Sequence, residues 1–205
     1  MTFEMFVALV GFAFAMSISP GPGNFILLAA GVNFGFVRSL PIVLGISVGF
    51  LSMVLAIGLG LGPVLHSHPF VYAGLKLLCA AYVFRLALKI ARSSPSGGPS
   101  AEKPERPISF VQACFLQLVN PKAWAVALIV TVSYTTPADY LPSLLAMIAV
   151  FAVVNLPAIS VWALFGVGLR QVLNDPAKVR VFNIVMALLL VGSMVPVLID
   201  VPLRS

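Results

Sequence analysis

An apolar run over residues 3–28 is interrupted by Ser19-Pro20-Gly21-Pro22-Gly23-Asn24. Two prolines and two glycines in six residues cannot continue a regular helix. Proline removes a backbone donor and clashes with the preceding turn, and glycine has low helical preference. In water such a stretch is simply a loop. In a bilayer the freed N–H and C=O groups have no water to bond, so a break is tolerated only where protein buries it or a polar cavity borders it. A break at membrane depth is therefore a candidate binding site.

Composition places the run in a membrane. Of 205 residues, 60% are hydrophobic and only 9% charged, against about 25% charged in a soluble domain. Mean hydropathy is +1.10. This leaves no room for a sizeable soluble domain, so residues 1–205 are read as a single transmembrane unit. Six segments reach the roughly 20 residues that a helix needs to cross a bilayer. They are 3–28, 40–65, 70–92, 108–132, 141–169 and 179–199. The expected fold class is an all-α integral membrane protein with six transmembrane helices. No basic region precedes the first segment and Glu4 has the wrong sign for a leader, so that segment is read as an uncleaved span.

The net charge of +6 is distributed by loop. Arg38 follows the first span. Lys89, Arg92, Lys103 and Arg106 surround the third connection, and Arg170, Lys178 and Arg180 the fifth. The connections around 66–69 and 133–140 hold no Lys or Arg. Basic loops stay cytoplasmic, which puts both termini on the outer, periplasmic side. The basic residues do not cluster with aromatics on a polar module, so no nucleic-acid partner is expected. Residues 93–107, rich in Pro, Ser and Gly, cannot bury a core and read as a cytoplasmic linker. The linker divides the chain into two halves of three spans each. Three is odd, so related halves would be inverted repeats, as in many secondary transporters. Asn120-Pro121-Lys122 interrupts the first span of the second half, as the opening motif interrupts the first span of the first half. Helices 1 and 4 are thus expected to be broken, and paired interruptions of this kind point to a transport site.

Ionisable residues inside spans are rare and usually face a cavity. Lys122 lies roughly 21 Å along its span at 1.5 Å per residue. Two roles are open to it: a solute ligand, or a tie to backbone carbonyls freed by Pro20 and Pro22. Lys76 is either a site residue or a snorkelling cation, and Tyr82 a cavity hydroxyl or an interface anchor. The candidate substrate-binding set is Ser19, Pro20, Gly21, Pro22, Gly23, Asn24, Asn120, Pro121, Lys122, Lys76 and Tyr82. Asn155 reads as an interhelical hydrogen bond, Trp162 as a packing or interface residue, and Gly45 and Gly49 as a close helix approach.

No Asp or Glu lies well inside any span, which argues against a divalent-metal transporter. His66 and His68 lack a third ligand, and Cys79 and Cys114 lie outside any CxxC motif. No metal and no cofactor is expected. No histidine or carboxylate is placed to activate Ser19, so no enzyme constellation emerges. What the spans offer is cationic and amide polarity plus freed backbone. That suits a small anionic or zwitterionic solute, whose carboxylate can sit at a half-helix N-terminus such as the one after Pro22.

These residues carry a resemblance to the lysine-exporter (LysE) superfamily, in particular its threonine/homoserine-lactone-efflux-like branch. It rests on the 19–24 motif followed by Gly31, Gly35 and Arg38, on Gly45 and Gly49, and on Lys76, Ala80 and Tyr82. Asn120-Pro121-Lys122-Ala123 and then Trp162, Gly166 and Arg170 complete it. Gly49-Phe50-Leu51 and residues 183–190 look like the cysteine/O-acetylserine exporter subgroup. The resemblance implies secondary export of amino acids or close derivatives across the bacterial inner membrane, coupling to the proton motive force, and a homodimer. Cys79, Phe50 and Arg85 depart from the family pattern, and the missing intramembrane acid favours a neutral over a strongly basic substrate. The rival reading is a non-transporting membrane scaffold whose breaks serve helix packing.

Overall fold

The computed structural model describes residues 2–61, 69–92, 107–173 and 175–192, with side chains for all of these except 61, 69–80, 137 and 171. The expected linker, apart from its last residue, lies outside the described residues. So do His66, His68, the end of the expected sixth span, and the side chains of Lys76 and Cys79.

Among the described residues the chain is all-helical, with eight α-helices: α1 Phe3–Ile18, α2 Pro22–Phe34, α3 Phe36–Ala56, α4 Pro69–Arg92, α5 Phe110–Leu118, α6 Pro121–Tyr134, α7 Tyr140–Val172 and α8 Pro176–Gly192. A π-helical turn, Ile57–Leu61, extends α3. Local sequence starts these helices. Thr2 Oγ1 accepts the Met5 N–H at the head of α1. Ser109 and Gln112 form a capping box at α5. Pro22 and Pro121 occupy the first turns of α2 and α6, where a missing N–H costs nothing.

Both expected breaks are present. α1 and α2 form a bent pair at 56°, and α5 and α6 a bent pair at 67°. The stretches Phe36–Gly60 and Tyr140–Arg170 are long and apolar enough to cross a membrane unbroken. Each bent pair counted as one span brings the total to four.

One boundary differs from the sequence reading. The connection expected over 29–39 is a single residue, Gly35, between α2 and α3. Its φ of 79° lies in the left-handed region open to glycine, and its N–H donates to Gly31 O at 3.1 Å. Arg38 marked this connection in the sequence, but 29–34 carries no charge that would hold it in water.

α2 is the axis of the molecule. Every residue from Pro22 to Asn33 is buried except Phe25, which is partly covered. Its most extensive neighbour is α7, followed by α3 and α8. Burial around the whole circumference marks a central helix. A reciprocal amide pair locks α2 to α8: Asn33 Nδ2 donates to Asn183 Oδ1 at 2.8 Å and Asn183 Nδ2 donates back to Asn33 Oδ1 at 3.0 Å.

The close approaches expected of Gly45 and Gly49 are present. A Cβ on Gly45 would lie 2.7 Å from Ala113 Cβ, and one on Gly49 2.8 Å from Cys114 Cα, both across the α3–α5 contact. The α2–α7 crossing uses the same device. A Cβ on Gly166 would meet Leu28 O and lie 3.0 Å from Gly31 Cα, whereas Gly168 has nothing within 4 Å. Gly166→Ala is therefore expected to lower the thermal unfolding midpoint of the detergent-purified protein by several degrees, as overpacking by one methyl costs about 1–3 kcal/mol. Gly168→Ala, two residues along the same helix, should leave it unchanged.

Candidate functional site

The first break exposes the carbonyl end of α1, and each oxygen there has a donor. Ala15 O accepts the Ser19 N–H at 3.1 Å. Met16 O accepts Ser19 Oγ at 3.0 Å, and Ser17 O accepts Asn24 Nδ2 at 2.9 Å. Ile18 O accepts Trp162 Nε1 at 3.0 Å. Ser19 O accepts both Asn24 Nδ2 at 2.8 Å and Lys122 Nζ at 2.6 Å. The stem of Lys122 lies against the open face of Gly21, where a Cβ would come within 2.9 Å of Lys122 Cδ. Helix C-termini carry partial negative charge, so the ammonium is electrostatically matched to this end.

The second break is closed in parallel. Leu118 O, on the last residue of α5, accepts Trp124 Nε1 at 2.8 Å. Asn120 N donates to Gln117 O at 3.2 Å. Asn120 Oδ1 caps α6 by accepting the Ala123 N–H at 3.4 Å, while its Nδ2 donates to Gln117 Oε1 at 3.2 Å. Both tryptophans of the chain thus cap the last carbonyl of a half-helix.

The two breaks share one cavity, with about 450 Å³ of free space counting its open mouth. Ser17, Gly21, Gly23, Asn24, Gln117, Asn120, Lys122 and Asn155 form its polar lining. Met16, Ile46, Phe50, Val126, Phe151 and Ile159 are among its apolar lining. Phe50 and Phe151 pack with ring centroids 5.3 Å apart. Asn155 holds three helices together at the cavity wall. Its Oδ1 accepts Ser47 Oγ at 2.9 Å and its Nδ2 donates to Ser17 Oγ at 3.0 Å. Asn155 is near the middle of the 33-residue α7, so the cavity sits at mid-height along that helix.

Of the residues expected at the site, Gly21, Gly23, Asn24, Asn120 and Lys122 line the cavity. Ser19 contributes its carbonyl to Lys122, while Pro20, Pro22 and Pro121 set the chain direction without lining the space. Tyr82 is not brought to the cavity: its hydroxyl donates to Gln112 O at 2.8 Å and ties α4 to α5. Lys76 lies on α4, with its side chain outside the described residues. The sequence reading missed Gln117, one turn before Asn120. A buried amide inside an apolar run was the only signal. No group of three or more His, Cys, Asp or Glu side chains that could hold a metal occurs among the described residues.

A family model described as LysE type translocator matches residues 14–200. A cysteine/O-acetylserine efflux protein of Klebsiella pneumoniae is 34% identical over 124 residues, 60% of this chain and 61% of that protein. A protein of the same name from Escherichia coli is 31% identical over 199 residues, covering 93% of this chain and 96% of the relative. One from Salmonella choleraesuis is 30% identical over 183 residues, 85% and 88% of the two chains. No solved structure matches.

Lys122 answers to a test without solute. Lys122→Met removes a charged hydrogen bond of about 1.5–3 kcal/mol and leaves Ser19 O to Asn24 alone. The unfolding midpoint in solute-free detergent should fall by about 5 °C. An unchanged midpoint would mean that Lys122 does not hold the break.

Proposed function

The chain belongs to the LysE type translocator family, and on that premise we propose that it is a secondary exporter of small neutral amino acids or their close derivatives. Family membership makes it a multi-pass membrane transporter rather than an enzyme. The observation that carries the substrate reading is the convergence of two proline-started half-helices on one cavity at mid-height, polar on one wall and apolar on the other.

That cavity suits a small zwitterion. Half-helix N-termini present free N–H groups and positive dipole ends to an anionic group. The Lys122 ammonium adds positive potential beside them. The oxygens of Ser17, Asn24 and Asn155 offer acceptors for an ammonium, and Phe50, Phe151 and Ile159 a surface for a short apolar side chain. Ser17, Asn24 and Asn155 carry no charge, and no Asp or Glu among the described residues lines the cavity. A second cation such as a lysine side chain would find no counter-ion there, which favours neutral solutes. The names of the relatives, cysteine and O-acetylserine efflux, agree with a small neutral substrate.

The finer architecture follows the same reading. Six spans in two inverted halves would place the two breaks as counterparts, supported by the matched proline starts and the matched tryptophan caps. A smaller second cavity is lined by Asn33, Ile42, Lys89 and Ile108. It brings the end of α2, the start of α3, the end of α4 and the approach to α5 to one end of the molecule. Arg38, Lys89 and Arg92 belong to these ends, which supports a cytoplasmic assignment for that side and an outer one for the termini. Proton coupling and a homodimer belong to this proposal through the family resemblance.

Proteoliposomes with an imposed proton gradient test the reading. Radiolabelled L-cysteine, O-acetyl-L-serine, L-serine or L-threonine should move, L-lysine and L-arginine should not, and a protonophore should abolish accumulation. Equal transport of lysine would remove the neutral preference. Movement of none of the panel would remove the small neutral amino-acid reading and favour the scaffold.

A further inference from the structure

Gln117 is 2% exposed, lines the cavity and carries a buried amide nitrogen, Nε2, with no hydrogen-bond partner among the described residues. Leaving such a donor unpaired costs free energy, so each case calls for a physical reason. The orientation of the amide is dictated by its neighbours. Asn120 Oδ1 is committed to the Ala123 N–H, so Asn120 presents Nδ2 to Gln117. Only Gln117 Oε1 can accept it, at 3.2 Å. Nε2 is thereby the end left unpaired, on a side chain that lines the cavity.

Opposite that nitrogen is the N-terminus of α2. No side chain caps its first turn, where N–H groups have no partner within the helix, and Gly23 and Asn24 of that turn line the cavity. A Cβ on Gly23 would lie 3.4 Å from Ile46 Cδ1 and 3.8 Å from Gln117 Nε2, so the bare face of the glycine lies beside the amide nitrogen. The arrangement is a set of donors around one small volume at the positive end of a helix. Its match is an acceptor carrying negative charge.

We propose that Gln117 is the specificity-determining contact for the carboxylate of the solute, which it holds together with the α2 N-terminal N–H groups. This rests on the exporter reading above and refines it. Lys122, bonded to Ser19 O, positions the broken backbone, and the amide of Gln117 reads the acid.

Binding is measured by calorimetry on the detergent-purified protein with O-acetyl-L-serine, L-cysteine and L-serine, each alongside its methyl ester. The wild type should bind at least one free acid at least about tenfold more tightly than its ester. Gln117→Leu should weaken the acid by at least about tenfold and the ester, a neutral acceptor, by clearly less. Gln117→Glu keeps an oxygen for Asn120 Nδ2 but places like charge against the carboxylate, so it should prefer ester to acid. Retained ester binding shows that a variant is folded, and the acid-to-ester preference of the wild type needs no variant at all. Equal binding of acid and ester by the wild type, no binding of any acid, or acid binding unaffected by either substitution would overturn the assignment. The expected binding pattern without efflux from liposomes would uphold Gln117 and overturn the exporter reading. Efflux that Gln117→Leu leaves intact would overturn Gln117 alone.

Discussion

The hydrogen bond from Lys122 Nζ to Ser19 O joins the two broken helices across 103 residues of chain. Lys122 begins α6, where its charge is disfavoured by the positive end of its own helix. It reaches instead to the negative end of α1. The same ammonium thus neutralises the exposed carbonyl end of one half-helix and leaves the amino end of the next one uncapped. Everything at the cavity follows from that separation. Carbonyls face donors supplied by the protein, while N–H groups and the Gln117 amide are left facing the cavity.

Breaking a helix at membrane depth is tolerable only when the released backbone groups are satisfied. The chain meets this condition twice with similar parts. A proline starts each second half-helix, an indole caps the last carbonyl of each first half-helix, and an asparagine bonds back across each break. The solutions differ in two respects: a side chain caps α6 but none caps α2, and a cation crosses in one direction only. The first break receives its cation from the second, while the second receives none from the first among the described contacts. That asymmetry makes the cavity polar in a directed sense, with donors concentrated where Gly23 and Gln117 meet.

Much of this was legible in the sequence because it rests on residues that cannot do otherwise. Two prolines and two glycines together stop a helix at 19–24, and Pro121 following Asn120 starts a new one, whereas Pro41 and Pro157, without such neighbours, stay inside helices; a lysine beside a break in an apolar run needs a partner. The packing role of Gly45 and Gly49 was legible from their spacing. Other features depend on tertiary placement. Residues 29–34 fell between two expected spans, yet they complete α2, which is buried along almost its whole length. Tyr82 offered a hydroxyl for the cavity, but Gln112 O takes it. The indoles of Trp124 and Trp162 serve carbonyls, a role that hydrophobic patterning does not reveal. Gln117 was invisible for the same reason: only the fold shows that one of its amide atoms is held and the other left open.

Two side chains divide the labour at the site, with Lys122 holding the backbone and Gln117 assigned to the acid. An experimental structure of the protein with a transported amino acid bound tests it most directly. The account predicts the carboxylate within hydrogen-bond distance of Gln117 Nε2 and the Gly23 or Asn24 N–H, with Lys122 Nζ still on Ser19 O. A carboxylate bound to Lys122 Nζ, with Ser19 O released and Gln117 Nε2 turned elsewhere, would contradict it.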